Sequence, residues 1–190
     1  MSRKNEMGRK NGIIIYQSKY GATAKYAGWL REMTGFGCVE TKKASLDEVM
    51  RHESIILCGG IYASGIAGIS FLKKNIGRLA GKKIAVFCVG ASPYDEKAFR
   101  ELKARNLQGE LAGIPLFYGR GAWDESRMTF VDRNLCRLLQ KSVAKKDPSA
   151  YEPWMKALMC AAGQSSDWTD RKYLAPLAGY ILGSVIETGK

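Results

Sequence analysis

Residues 13–27 read Ile13-Ile14-Ile15-Tyr16-Gln17-Ser18-Lys19-Tyr20-Gly21-Ala22-Thr23-Ala24-Lys25-Tyr26-Ala27. A β-branched run ends, a short segment rich in hydroxyl groups, Lys and Gly follows, and an amphipathic helical pattern opens. That succession is the layout of a phosphate cradle. Backbone N–H groups at a helix start have no intrahelical partner, and the helix dipole favours an anion there. Ser18 and Thr23 can add hydroxyl donors, and Gly21 lets the backbone approach a ligand closely. The string Gly-x-x-x-x-Gly-Lys-Ser/Thr occurs nowhere in the chain, and the segment holds one glycine where a dinucleotide fingerprint needs three.

The rest of the chain repeats the alternation. Strands are predicted at Ile13–Gln17, Cys38–Thr41, Ser54–Cys58, Lys83–Val89 and Ile114–Tyr118. Helices are predicted at Ala22–Met33, from Ser45 onward, at Ala67–Leu79, and from a cap at Ser92-Pro93-Tyr94-Asp95 to about Arg105. Three strands are apolar on both faces, the mark of a parallel sheet covered on both sides. Five such units give a doubly wound α/β domain. The tail differs: Phe130–Val143 reads as an amphipathic helix, Tyr151–Ala162 as a short helix, Gly163–Trp168 as a polar loop, and Thr169 as the cap of a last helix with Pro176 inside its pattern. We divide the chain into a basic tail, 1–11, and one domain, 12–190, carrying a helical insertion at 124–168.

Composition narrows the function classes. The chain has 190 residues, 46% hydrophobic and 25% charged, ordinary values for a single globular domain. Its apolar runs are strand-sized, and no signal-peptide apolar region follows the basic N-terminus. Five cysteines, an odd count without Cys-x-x-Cys, argue for a reducing cytosol and against a disulfide framework. His52 is the sole histidine and has no partnered spacing, so no metal site is expected. Net charge is +12, from 30 basic and 18 acidic residues, with the excess in residues 1–123. A basic surface attracts nucleic acid, anionic lipid or acidic proteins. No nucleic-acid motif appears.

In a sheet of this kind a ligand sits at the carboxyl ends of the strands, where the strand order reverses. Three predicted loops meet there: Ser18–Thr23, Gly59–Gly65 and Val89–Tyr94. All carry Gly, Ser or an aromatic, which suits a planar hydrogen-bonding ring system. The candidate cofactor-binding residues are Ser18, Lys19, Tyr20, Gly21, Ala22 and Thr23 in the first loop, Gly60, Ile61, Tyr62 and Ala63 in the second, and Gly90, Ala91 and Ser92 in the third. Trp123, after the fifth strand, completes the set. No nucleophile–base or proton-shuttling pair stands out.

The hydroxyl-rich, glycine-poor cradle after the first strand resembles the FMN phosphate loop of flavodoxins. Strand order 2-1-3-4-5 is adopted from that resemblance. Three segments are most similar to the flavodoxin-like protoporphyrinogen dehydrogenases: Tyr16–Ala27, Gly60-Ile61-Tyr62-Ala63-Ser64-Gly65 running into Phe71-Leu72-Lys73-Lys74-Asn75, and Asp167-Trp168-Thr169-Asp170. Tyr151–Ser166 matches weakly. The resemblance implies FMN as cofactor and electron transfer between a quinone- or porphyrin-like substrate and an acceptor. It also implies a cytoplasmic protein with peripheral contact at the inner face of an anionic membrane. An FMN electron carrier without its own substrate, and a basic binding module, remain alternatives.

Overall fold

A computed structural model describes residues 11–183. The basic tail falls almost wholly on residues 1–10, outside the described residues. Strand β1 (Gly12–Gln17) lies between β2 (Gly37–Glu40) and β3 (Ser54–Tyr62), and β5 (Lys83–Gly90) and β6 (Leu116–Arg120) follow on the far side of β3. All four pairings are parallel, with Ile14 opposite Cys38 and Ile56. A two-residue strand, β4 (Gly65–Ile66), turns back antiparallel onto β3. Without it, the order is the expected 2-1-3-4-5, a flavodoxin-like fold.

Strand alternation divides the apolar residues between two cores. Ile13, Ile15, Ile55, Leu57 and Val86 face one layer, with Val49 of α2 (Leu46–Met50), Leu72 of α3 (Ile69–Asn75) and Leu102 of α4 (Glu96–Asn106). Ile14, Ile56, Ala85 and Phe87 face the other. Tyr26 and Leu30 of α1 (Ala22–Thr34) and Leu177 and Ile181 of α7 (Ala175–Leu182) cover them. Beyond the sheet, α5 (Phe130–Val143) and α6 (Pro153–Ala161) enclose a separate small cluster of Val143, Met155 and Leu158.

Several boundaries move for physical reasons. β6 starts at Leu116 rather than Ile114, because Ile114 N–H closes a turn onto Leu111 O and Pro115 has no N–H to give. Ser92 does not cap α4. Its carbonyl accepts from the Tyr118 hydroxyl, Pro93 stays in the loop, and Asp95 caps instead, accepting from Ala98 N–H at 2.8 Å. The helix expected through Leu79 ends at Asn75 and continues as a 3-10 turn, Ile76–Leu79.

The polar loop Gly163–Trp168 contains a strand, β8 (Ser165–Asp167), paired antiparallel with β7 (Ala122–Asp124). Three polar residues carry no period-two signal, so sequence pattern could not reveal it. Thr169 caps nothing. Its N–H and hydroxyl donate to Asp167 Oδ1, while Asp170 caps a 3-10 turn, Arg171–Leu174. Pro176 then sits in the first turn of α7, where its missing N–H costs little.

Candidate functional site

The loop after β1 forms an open cradle. Gly21 is the N-cap residue of α1 at φ 98°, and no side chain caps the helix. The N–H groups of Ala22, Thr23 and Ala24 open the helix without intrahelical acceptors. A Cβ built at Gly21 would meet no heavy atom within 4 Å, so the backbone there is open to approach. Ser18 Oγ accepts from Gly21 N–H at 3.1 Å, which sets the turn and leaves its own proton free to donate outward. Thr23 is buried beneath the first turn. Open approach, free amides and the positive end of a thirteen-residue helix suit a phosphate-sized anion.

Lys19 and Tyr20 of this loop are tied to the insertion. Asp132, in the first turn of α5, pairs with the Lys19 ammonium and accepts from the Tyr20 hydroxyl. Those bonds, Lys19 first, hold the Asp132 carboxyl below its usual range and raise the Lys19 ammonium. The cradle's cation thus already has an anionic partner within the chain.

The second loop is a hairpin. Gly59 and Gly60, expected in the loop after a strand ending at Cys58, lie inside β3 instead, and each meets a close neighbour. A Cβ on Gly59 would stand 2.2 Å from Ala67 O, and one on Gly60 would stand 2.8 Å from the Tyr62 ring. The turn itself is Ala63 and Ser64, both left-handed at φ 47° and 63°, a conformation unfavourable for side-chain-bearing residues. Asn106 of α4 holds it. This buried side chain donates to Ser64 O at 2.9 Å and accepts from Ile66 N–H at 3.0 Å. Sequence reading missed Asn106, because a polar residue at a helix end carries no sign of what it reaches across the fold.

Tyr62, 39% exposed, stands edge-on to Tyr20 with ring centroids 6.4 Å apart, and Lys19 Nζ lies 5.8 Å from its centroid. Ile61 approaches the third loop, its Cδ1 lying 3.1 Å from where a Cβ on Gly90 would stand. In that loop, Gly90 O accepts from Gly121 N–H at 2.7 Å and Ala91 O from Arg120 Nε at 3.1 Å, while Ser92 O accepts from Tyr118. β6 thereby fixes the third loop, and burial raises the Tyr118 hydroxyl well above its ordinary value, keeping it a donor. Tyr94, 56% exposed, lies beside Tyr118 at 6.0 Å.

The structure therefore brings Ser18–Thr23, Gly60–Ala63 and Gly90–Ser92 to one end of the sheet. Trp123 sits in β7, packed against the α5–α6 cluster with Tyr151 and Trp154, and its indole N–H is buried without a partner. The Asp167–Asp170 segment is anchored behind the first loop. Lys25 Nζ pairs with Asp167 at 2.8 Å, Arg120 stacks on the Trp168 ring at 3.9 Å, and Asp170 N–H donates to the Tyr26 hydroxyl at 3.1 Å. Burial pushes Tyr26 up to about 12, so it stays protonated and donates to Arg120 O at 2.6 Å. A groove of about 430 Å³ lined by Gly81, Lys82, Ile84 and Pro115 lies at the opposite end of the sheet. Among the described residues no group of three or more His, Cys, Asp and Glu side chains could hold a metal ion.

Comparison with known proteins places the chain among similar folds. Among solved structures, the chain is similar to the two-electron reduced flavodoxin of Megasphaera elsdenii. Identity there is 18% over 56% of this chain and 82% of that one, with a TM-score of 0.43. It is similar to a WrbA-like flavodoxin from Agrobacterium tumefaciens at 18% identity, covering 68% and 92% of the two chains, with a TM-score of 0.43. It is also similar to Fusobacterium nucleatum flavodoxin bound to flavin mononucleotide, at 14% identity over 56% and 68%, with a TM-score of 0.36. No curated protein matches the chain. A family model described as a flavodoxin domain matches residues 13–150, from the first strand into the insertion. This chain belongs to the flavodoxin-domain family.

Proposed function

We propose that the protein binds FMN and works as an oxidoreductase, passing electrons between a quinone- or porphyrin-like substrate and an acceptor. The observation that carries the cofactor reading is the cradle: an uncapped helix start, open to approach at Gly21, at the carboxyl end of β1. FMN, when bound, supplies the redox chemistry, and the protein supplies position and electrostatics. Ser18, Gly21 and the amides of Ala22 and Thr23 would hold the phosphate. Tyr62 would offer the ring a face, and the Gly60 and Gly90 loops would flank its edges. Lys19 would exchange Asp132 for the phosphate. The substrate reading draws support from the insertion, whose Asp132 reaches the first loop and puts α5 beside the site. The partial exposure of Tyr62 and Tyr94 favours a second reading, an FMN electron carrier with an accessible ring edge. An absorption spectrum of purified protein with added FMN tests the cofactor, and turnover of quinones by the loaded protein separates enzyme from carrier.

A further inference from the structure

The apolar stripe of α5 points the wrong way for a core. Phe130, Val131, Leu135, Leu138 and Leu139 are 44–77% exposed. At 3.6 residues per turn they cover about half of the helix circumference. An amphipathic helix ordinarily buries this stripe. Here the polar side faces the protein instead: Asp132 pairs with Lys19, Gln140 donates to Glu125 at 3.0 Å, and Val143 closes the small cluster. The charges beside the stripe share one sign. Arg137 and Lys141 line its edge, and Lys145 and Lys146 follow the helix, all exposed. None of the ion pairs among the described residues engages these four cations. The helix's one acidic side chain is the inward Asp132.

We propose that α5 is an interfacial helix that lays this face into an anionic phospholipid bilayer. A stripe of large apolar side chains with a basic margin suits the boundary between acyl chains and anionic headgroups. Fourteen residues are too few to span a bilayer, and no described helix is long and apolar enough to cross one. A second copy of the chain fits less well, because two +12 chains would meet through matching basic margins. The proposal stands apart from the cofactor assignment, since vesicle binding can be read with or without FMN.

Co-sedimentation of the full chain with phosphatidylglycerol-containing vesicles, against pure phosphatidylcholine vesicles, tests it. Binding is expected on the anionic vesicles at low salt, and should weaken as salt rises. Replacing both Leu135 and Leu138 with Asp should abolish it while leaving the circular dichroism spectrum intact, because both sites are solvent-exposed. Arg137→Gln with Lys141→Gln should lower binding roughly tenfold or more. A Phe130→Trp variant should add blue-shifted emission on anionic vesicles over the wild-type background. Failure to bind at low salt, or binding unchanged by the Asp pair, would overturn the proposal. So would a concentration-dependent dimer that the Asp pair dissolves, or retention by random DNA in place of vesicles.

Discussion

Asp132, in the inserted helix, holds the ammonium of Lys19 in the loop after β1. One ion pair therefore joins the segment that would shape the substrate side to the segment that would hold the phosphate. Phosphate and Asp132 compete for the same cation in our account. Asp132→Asn should tighten FMN binding, on the order of fivefold for a partly exposed pair worth up to about 1 kcal/mol, as read by flavin titration. Weaker binding in the variant would mean that Asp132 positions Lys19 rather than competing for it.

Thr23→Val removes a hydroxyl at the first turn of α1. If that hydroxyl bonds the phosphate, the loss is roughly 1.5–3 kcal/mol, and FMN affinity should fall accordingly while riboflavin affinity stays constant. An unchanged FMN affinity would remove Thr23 from the cradle.

Tyr62 and Trp123 should separate. Tyr62 lies against the first loop, so Tyr62→Ala should weaken quenching of bound flavin fluorescence. Trp123 packs on the α5–α6 cluster, so Trp123→Ala should cost about 2 kcal/mol of stability for a half-buried ring and leave quenching intact. Chemical denaturation and fluorescence on both variants check the division.

Asn106→Ala strips the Ile66 amide and Ser64 carbonyl of their partner beneath a left-handed turn. Two orphaned groups cost about 2–4 kcal/mol together, enough to lower the melting temperature by several degrees. The hairpin's amides should also exchange hydrogen faster than in the wild type. A neutral substitution would show that the turn holds without its clamp.

Asp167 gives the fold an acid-sensitive tie. Burial pushes its carboxyl up, but the bonds from Lys25 and Thr169 outweigh that and hold it down at about 2, against 3.8 ordinarily. A group depressed on folding contributes stability above its unfolded value and loses it as pH falls through its folded value. The stability advantage of wild type over Asp167→Asn should therefore persist above about pH 4 and vanish toward pH 2. Thermal melts across that range measure it.

How much the sequence disclosed follows from how locally each feature is determined. The Ile13–Ile15 run and its turn into α1 depend on neighbours in the chain, so strand, cradle and helix were legible together. Parallel strands buried on both faces announced the sheet, while the strand order came through resemblance rather than periodicity. What stayed hidden depends on distant partners. Tyr118 takes the Ser92 carbonyl and moves the α4 cap to Asp95. Gly59, expected in a loop, stays in β3 and answers to Ala67 across the hairpin. The same limit concealed the β7–β8 pair and the clamp at Asn106. The α5 stripe was read correctly as amphipathic, but periodicity does not tell which face meets solvent.

The cofactor assignment rests on the loop Ser18–Thr23 holding the phosphate of FMN. Titrating apoprotein in parallel with FMN and riboflavin, and following flavin fluorescence, tests it most directly. Saturable FMN binding and clearly weaker riboflavin binding are expected, because the phosphate engages the α1 amides. Equal affinity for the two flavins, or no uptake of either, would contradict it.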